Sequence, residues 1–205
     1  MLTFYRSGGT SCAVATQIAL EDAGADYKDV VVDLAGGQQR SPEFLKLNPK
    51  GRVPVMVTDK GTLTETVALL LYVAQTHPAA KLAPTDPFEL AKLQAFNAYL
   101  ASTVHVAHAH KLRGHRWTDD AAAIETMKAK VASNMTDCAR IIENEYLTGP
   151  WVMGDQYTVA DPYLHIITLW MEGDGVDLSK FPKLSAHKAA MAQRPAVKKV
   201  LSKLS

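Results

Sequence analysis

The chain has 205 residues, of which 47% are hydrophobic and 21% are charged, and its formal net charge at pH 7 is +1. This length allows one large domain or two small ones, and the composition is ordinary for a soluble globular protein. A charge this close to zero gives no electrostatic reason to expect binding to nucleic acid or to an anionic membrane, and the apolar runs are too short to span a bilayer.

The cysteine content and the N-terminus indicate the compartment. The two cysteines, Cys12 and Cys138, do not make a disulfide framework, and the sequence contains no CxxC motif. The N-terminus has no apolar signal-peptide core after a basic start. We therefore expect a cytoplasmic protein with reduced thiols.

Strand patterns occur only in the first third of the chain. They are predicted at residues 2–5, 27–34, 53–57 and 62–63, with a turn at Lys60 and Gly61 before the last of them. The run "VVV" in the second segment is typical of a buried strand.

Helix patterns alternate with these strands. A helix is predicted at residues 13–23, where Gly24 fits a C-terminal cap. A short helix follows Ser41, which is suited to be its N-cap, with Pro42 at the first helical position. A third helix around residues 69–72 should end before Pro78.

Prolines at 78, 84 and 87 mark a linker, and the sequence beyond Phe88 has helical spacing and no convincing strand. Long helical stretches are predicted at 124–146 and 158–171, and one or two more at 182–204. The sequence thus predicts an α/β domain at 1–77, a linker at 78–86 and an all-α domain at 87–205.

The segment "TVAD" is a capping box at the start of the helix near residue 158. We expect the Thr158 hydroxyl to accept from the Asp161 backbone and the Asp161 carboxylate to reach back to Thr158. Asp161 is therefore interpreted as a structural residue and not as a catalytic one.

The segment "YRSGGTSCAVA" lies between the first strand and the first helix. A turn of this kind aims backbone N–H groups, and a hydroxyl or thiol, at whatever lies above it. Ser11 and Cys12 are the side chains that could do chemistry there.

The segments "NPKGRVPVMVTDKGTLTETVALLLYVA", "IALEDAGADY" and "GDQYTVADPYL" resemble the cytosolic glutathione transferases, and the bacterial beta-type or a close relative most. The resemblance covers essentially the whole chain. It implies a thioredoxin-like N-terminal domain, an all-helical C-terminal domain, glutathione as co-substrate without a metal, and a homodimer.

The resemblance also implies a glutathione site. Pro54 is expected in cis, which leaves the Val53 N–H and C=O facing outward to pair with glutathione like a strand edge. Thr66, at a helix N-terminus, suits the γ-glutamyl carboxylate, and Glu65 suits the ammonium group. Arg52 is expected near the ligand, and the alternative for it is a solvated loop charge.

Two alignments compete for the residue that faces the glutathione sulfur. Counting forward from Tyr5 puts Ser11 at the serine of the relatives and Thr10 at their cysteine. Counting back from the helix core "IAL" puts Cys12 at that cysteine and Ala13 at the serine. We favour the second, because helix packing fixes register while a Gly-rich loop absorbs insertions. Ser11 could still donate a hydrogen bond, and the alternative for Cys12 is a small buried hydrophobe.

His105 is the second catalytic candidate by resemblance, because beta-type relatives carry a histidine on the first long helix of the C-terminal domain. It could orient the thiolate or act as acid or base. His108, one turn later, could share its surroundings. The pattern H-x-x-H-x-H lacks a nearby cysteine or a metalloprotease glutamate, so no metal is expected.

The expected activity is conjugation of the glutathione thiolate to small apolar electrophiles. Two alternatives remain. With Cys12 as nucleophile, the protein would be a glutaredoxin-like thiol transferase that reduces mixed disulfides. Without turnover, it would be a binder of glutathione or apolar ligands.

Overall fold

The computed structural model describes residues 2–204. Within this range, four strands form one sheet in the order β2-β1-β3-β4, in which β1 and β2 are parallel and the other neighbours antiparallel. The strands are β1 (Leu2–Ser7), β2 (Tyr27–Val32), β3 (Val55–Thr58) and β4 (Gly61–Thr64). All four predicted strands are confirmed, with shifted ends.

The described residues also form nine α-helices. They are α1 (Ala13–Asp22), α2 (Pro42–Leu47), α3 (Thr66–Thr76), α4 (Pro87–Tyr99), α5 (His105–Arg113), α6 (Ala121–Ile141), α7 (Ala160–Gly173), α8 (Pro182–Gln193) and α9 (Pro195–Leu201). A π-helical turn, Leu100–Val104, joins α4 to α5, and a second, Ile142–Tyr146, extends α6.

The local helix signals are confirmed. Ser41 Oγ accepts a hydrogen bond from the Phe44 amide at 3.2 Å, and Pro42 is the first residue of α2. Gly24 follows α1 with φ +63°, the left-handed conformation that glycine adopts without a Cβ penalty.

The prediction that β2 is a buried strand is wrong. β2 is an edge strand, and Val31 is 51% exposed while Val32 is buried. The β-branched run favours extended backbone, but a position at the edge of the sheet leaves alternate side chains in solvent.

The chain divides into two compact units. The first comprises the residues up to Leu90 together with those from Ala192 onward, and the second comprises Ala91–Met191. The sequence placed the last stretch in the helical domain, whereas α9 packs against α1 and Arg194 Nη2 lies 2.8 Å from Asp22 Oδ1. The predicted boundaries at 77 and 87 stay predictions.

In the second unit, Asp161 has a larger role than the predicted capping box. Its Oδ2 accepts from the Thr158 amide at 2.7 Å, as expected, but the Thr158 hydroxyl accepts from Ala160 N (3.3 Å) and not from the Asp161 backbone. Asp161 Oδ1 also accepts from Val152 N at 2.8 Å and lies 3.1 Å from His187 Nε2. The buried carboxylate thus joins three segments of this unit.

Among residues 2–204, no helix has the length and apolar character needed to cross a membrane.

Candidate functional site

Most of the residues predicted to bind glutathione lie at one end of the sheet, where β1 and β4 end and β3 begins. This end of the strands is called the sheet edge below. The strand register pairs Tyr5 with Val55, and Val55 with Thr64. Because β1 ends, β3 begins and β4 ends at this edge, three segments leave it side by side: the turn after Ser7, the residues before Val55, and the start of α3. The topology therefore brings residues far apart in sequence to one place.

The Val53–Pro54 peptide bond is cis, which confirms the prediction. Val53 is half-buried, and between residues 2 and 204 no main-chain hydrogen bond is formed by its N–H or C=O. Its peptide groups are therefore available to pair with an extended ligand.

The loop before Val53 is held by Asn48. The Asn48 side chain donates to the Arg52 carbonyl at 2.7 Å and accepts from the Lys50 amide at 3.2 Å. Gly51 has φ +60°, and a Cβ there would lie 2.9 Å from Arg40 Nη1. This position needs glycine for both its backbone conformation and its space.

Arg52 itself is exposed, and its carbonyl supports the loop through Asn48. The structure gives its side chain no partner in the group at the sheet edge, within the part of the chain that is described. A role for Arg52 at the ligand stays a prediction.

Glu65 and Thr66 stand where β4 meets α3. Glu65 has φ +73°, a strained value for a residue with a Cβ, and its side chain is 68% exposed. Its carboxylate is paired with Lys50 Nζ, which also donates to Thr64 Oγ1 at 2.8 Å. Thr66 is buried at the first position of α3, where backbone N–H groups have no partner within the helix.

Ser11 and Cys12 lie at the start of α1, as predicted. The carbonyls of Ser11 and Cys12 accept from Val14 N (3.0 Å) and Ala15 N (3.2 Å), so the helical hydrogen bonds begin here. Both side chains are half-buried. Ser7 Oγ donates to Ser11 Oγ at 2.8 Å, a contact that the sequence did not indicate.

An ion pair between a buried arginine and a partly exposed aspartate, next to this turn, was also missed. Arg6, 3% exposed, donates through Nε and Nη2 to Asp29 of β2 at 2.9 and 2.8 Å. Gln17 of α1 donates to the same carboxylate at 3.0 Å, and Arg6 Nη1 donates to the Ser7 carbonyl at 3.1 Å. A charged residue within an apolar strand pattern was the available signal.

His105 lies in the second unit, at the first position of α5 directly after the π-helical turn. Its ring centroid is 4.8 Å from that of Trp170 on α7. The structure therefore places His105 beside an aromatic ring within its own unit, and a catalytic role for it stays a prediction.

His108 has a different environment from His105. Its ring stacks on Trp170 at 4.4 Å and its Nδ1 lies 2.6 Å from Asp174 Oδ2, whose side chain is 1% exposed. Lys111 Nζ lies 3.4 Å from the other oxygen of that carboxylate. Across residues 2–204, no three His, Cys, Asp or Glu side chains are grouped so that they could hold a metal ion.

Comparison with known proteins matches both parts of the chain to one family. Residues 1–75 match the glutathione S-transferase N-terminal domain, and residues 107–203 match the glutathione S-transferase C-terminal domain. A glutathione transferase homologue from Sulfitobacter, solved with bound glutathione, is 44% identical, with a TM-score of 0.95 over 99% of this chain and 98% of that one.

Two further relatives differ in their names. The beta-class glutathione S-transferase of Sphingomonas chungbukensis is 31% identical, with a TM-score of 0.86 over 99% of this chain and 98% of its own. The maleylacetoacetate isomerase of Pseudomonas aeruginosa is 28% identical over 96% of this chain and 92% of its own.

These likenesses span both units and confirm the predicted fold, a thioredoxin-like α/β domain followed by an all-helical domain. The chain belongs to the glutathione S-transferase family.

Proposed function

We propose that this protein is a glutathione transferase that conjugates the thiolate of glutathione to small apolar electrophiles. The observation that carries the proposal is the meeting of three features at one sheet edge: the cis Val53–Pro54 peptide, Glu65 and Thr66 at the start of α3, and Ser11 and Cys12 at the start of α1. The bound glutathione of the Sulfitobacter relative supports it.

Glutathione would lie along this edge as an added strand. The free N–H and C=O of Val53 suit its cysteinyl backbone. Its γ-glutamyl carboxylate suits the Thr66 hydroxyl and the first amides of α3, where the helix dipole also favours negative charge. Glu65 would exchange its contact with Lys50 for the ammonium group of the ligand. Arg52 would lie nearby in the preceding loop.

The sulfur of glutathione would face the start of α1. A free thiol has a pKa of about 8.5 and is mostly protonated at neutral pH. A hydrogen-bond donor and a helix N-terminus stabilise the thiolate and lower that pKa. Each unit of lowering corresponds to about 1.4 kcal/mol, whereas gathering two reactants can lower a barrier by about 7–11 kcal/mol in ideal geometry.

Two further parts of the proposal come from the family resemblance. His105 would orient the thiolate or exchange a proton with the bound reactants. The protein would act as a homodimer.

The experiment compares Thr66→Val with Thr62→Val, the same change at an exposed threonine of β4. The dissociation constant of glutathione is measured by calorimetry, and conjugation by the loss of free thiol with a chloro-nitrobenzene electrophile. Thr66→Val should weaken glutathione binding about tenfold, because a hydrogen bond to a charged group contributes about 1.5–3 kcal/mol. Wild type that neither binds glutathione nor consumes it would contradict the proposal.

A second candidate is a glutathione-dependent isomerase, favoured by the relative named maleylacetoacetate isomerase. An isomerase would convert its substrate without net consumption of glutathione, whereas conjugation consumes one glutathione for each thioether formed. Incubation with maleylacetoacetate separates the two: isomerisation with a constant glutathione concentration supports the isomerase, and thioether formation supports the transferase.

The thiol transferase alternative depends on Cys12. Cys12→Ala should abolish reduction of a glutathione mixed disulfide while sparing conjugation, if Cys12 is a nucleophile only in that reaction. Glutathione binding without turnover of any of these three substrate classes would favour a non-catalytic binder.

A further inference from the structure

The opening turn contains a hydroxyl pair that neither the sequence nor the family comparison assigns. Ser7, the last residue of β1, is 7% exposed, and its Oγ lies 2.8 Å from Ser11 Oγ. The other acceptor near Ser7 Oγ is the Gly9 carbonyl, at 3.5 Å. The shorter contact is the stronger hydrogen bond, so Ser7 Oγ donates mainly to Ser11 Oγ rather than to the Gly9 carbonyl.

Ser7 is held in place by the ion pair next to it. Arg6 donates to the Asp29 carboxylate through Nε and Nη2, and its third nitrogen, Nη1, donates to the Ser7 carbonyl at 3.1 Å. Gln17 of α1 binds the same carboxylate at 3.0 Å, so β1, β2 and the helix that Ser11 begins are joined through one group. A planar guanidinium in a bidentate contact leaves the end of β1 little freedom to rotate.

The two glycines between the serines, Gly8 and Gly9, are exposed. A Cβ at Gly9 would meet nothing within 4 Å, and one at Gly8 would meet only Val31 at 3.8 Å. The Ser11 amide donates to the Gly9 carbonyl at 2.9 Å, which closes the turn on itself. The side-chain bond from Ser7 ties the Ser11 hydroxyl to the end of β1.

The direction of this bond has a chemical consequence. A serine hydroxyl carries one proton and two lone pairs. When Ser11 accepts from Ser7, its own proton is left for another acceptor, and a donated bond polarises the hydroxyl and strengthens the bond it makes in turn. Ser11 is then a pre-organised hydrogen-bond donor at the N-terminus of α1.

We propose that Ser7 is a positioning residue for this site, which aims and polarises the Ser11 hydroxyl at the sulfur of bound glutathione. The proposal rests on the proposed function, since it needs glutathione to bind at the sheet edge. It assigns a part of the thiolate stabilisation to the Ser11 hydroxyl.

The test is the pH titration of the thiolate absorbance of bound glutathione. The proteins are wild type, Ser7→Ala, Ser11→Ala, the double variant, the conservative Ser7→Thr, and Ser133→Ala as an exposed control on α6. The dissociation constant of glutathione, measured below the thiol pKa, reports whether the site itself is intact.

We expect Ser11→Ala to raise the bound thiol pKa most and Ser7→Ala to raise it less, with a fall in kcat/KM near neutral pH of about two- to tenfold for Ser7→Ala. Ser7→Thr, which keeps the hydroxyl, should keep the wild-type pKa, and Ser133→Ala should match wild type. In the Ser11→Ala background, adding Ser7→Ala should change nothing further, since the two act as one unit.

Two outcomes would overturn the positioning role while leaving the transferase proposal intact: an unchanged thiol pKa in Ser7→Ala, or an equal further shift when Ser7→Ala is added to Ser11→Ala. If Ser7→Ala instead disturbed the structure of the turn, it would weaken glutathione binding, and Ser7→Thr would show the same loss. That result would also count against the proposal. Wild type that fails to bind glutathione would instead overturn the proposed function.

Discussion

The sheet edge of the first unit and the buried carboxylates of the second unit hold their polar groups in opposite ways. At the edge, Glu65 is largely exposed, the peptide groups of Val53 form no main-chain hydrogen bond within residues 2–204, and Ser11 is half-buried. In the second unit, Asp161 and Asp174 are almost fully buried and in contact with histidine. Partly exposed groups on a rigid frame suit an exchangeable ligand, whereas buried and paired groups stabilise the fold.

Glu143 extends the second half of this comparison. It is buried, and its two carboxylate oxygens each accept from an amide at the start of α8, Lys183 N and Leu184 N, both at 2.9 Å. The carboxylate satisfies amides that have no partner within the helix. In this unit, acidic residues thus replace missing backbone hydrogen bonds.

The largest expected effect is a loss of stability when Asp161, the carboxylate with the most hydrogen-bond partners, is removed. Asp161→Ala would leave the amides of Val152 and Thr158 without their acceptor and remove the partner of His187. We expect the free energy of unfolding to fall by about 3–5 kcal/mol, measured by urea denaturation. Asp155→Ala, on an exposed residue of the same region, should change it by less than about 0.5 kcal/mol. Similar losses in the two variants would show that Asp161 does not join these segments.

The next largest expected effect is a change in stability with pH, which comes from the burial of His165. Burial lowers the pKa of His165 to about 4, and the charges of His187 and Lys188 add to this. The unfolded chain takes up this proton near pH 6.5, but the folded chain only near pH 4. This contribution to stability is therefore complete above about pH 6.5 and is lost as the pH falls toward 4.

Between pH 7.5 and pH 5, His165 should account for a loss of about 2 kcal/mol in the free energy of unfolding. His165→Gln removes the titrating group, so the variant should show a correspondingly smaller loss over this range, whatever its absolute stability. His115→Gln, on an exposed histidine, should keep the wild-type difference. An unchanged pH dependence in His165→Gln would mean that His165 titrates normally in the folded protein.

The same comparison explains what the sequence could predict. The cap of α2 by Ser41 and the glycine after α1 were confirmed, because each depends on a short motif that carries its own geometry. The cis bond before Pro54 was also confirmed, but it was expected from the family resemblance and not from the local sequence.

What the sequence could not predict depends on partners distant along the chain. Arg6 and Asp29 are 23 residues apart, and His108 and Asp174 are 66 apart, so each pair becomes visible only once the topology is known. The prediction that β2 is buried failed for a related reason: strand propensity does not say which strand lies at an edge, where Val31 is exposed. The role of Ser7 was hidden because it depends on a turn that folds back on itself.

The smallest expected effect tests whether Glu65, at the sheet edge, exchanges its ion pair with Lys50 for a contact with the ligand. Lys50 and Glu65 form an ion pair whose side chains are 47% and 68% exposed, and pairs of this kind contribute about 0–1 kcal/mol to stability. Lys50→Ala should therefore leave the unfolding midpoint close to that of wild type. If glutathione's ammonium group must displace Lys50 from Glu65, the variant should bind glutathione about twofold more tightly at low salt, because a competing cation has been removed.

Lys60→Ala provides the matched control, since Lys60 is exposed in the turn before β4. It removes the same charge from the same unit, so any change that both variants share reflects net charge alone. Raising the salt concentration should reduce the difference between Lys50→Ala and wild type, because an exposed pair is screened. Weaker binding in Lys50→Ala would mean that Lys50 contacts the ligand itself, and the Glu65 carboxylate would then be a partner that holds this lysine in place.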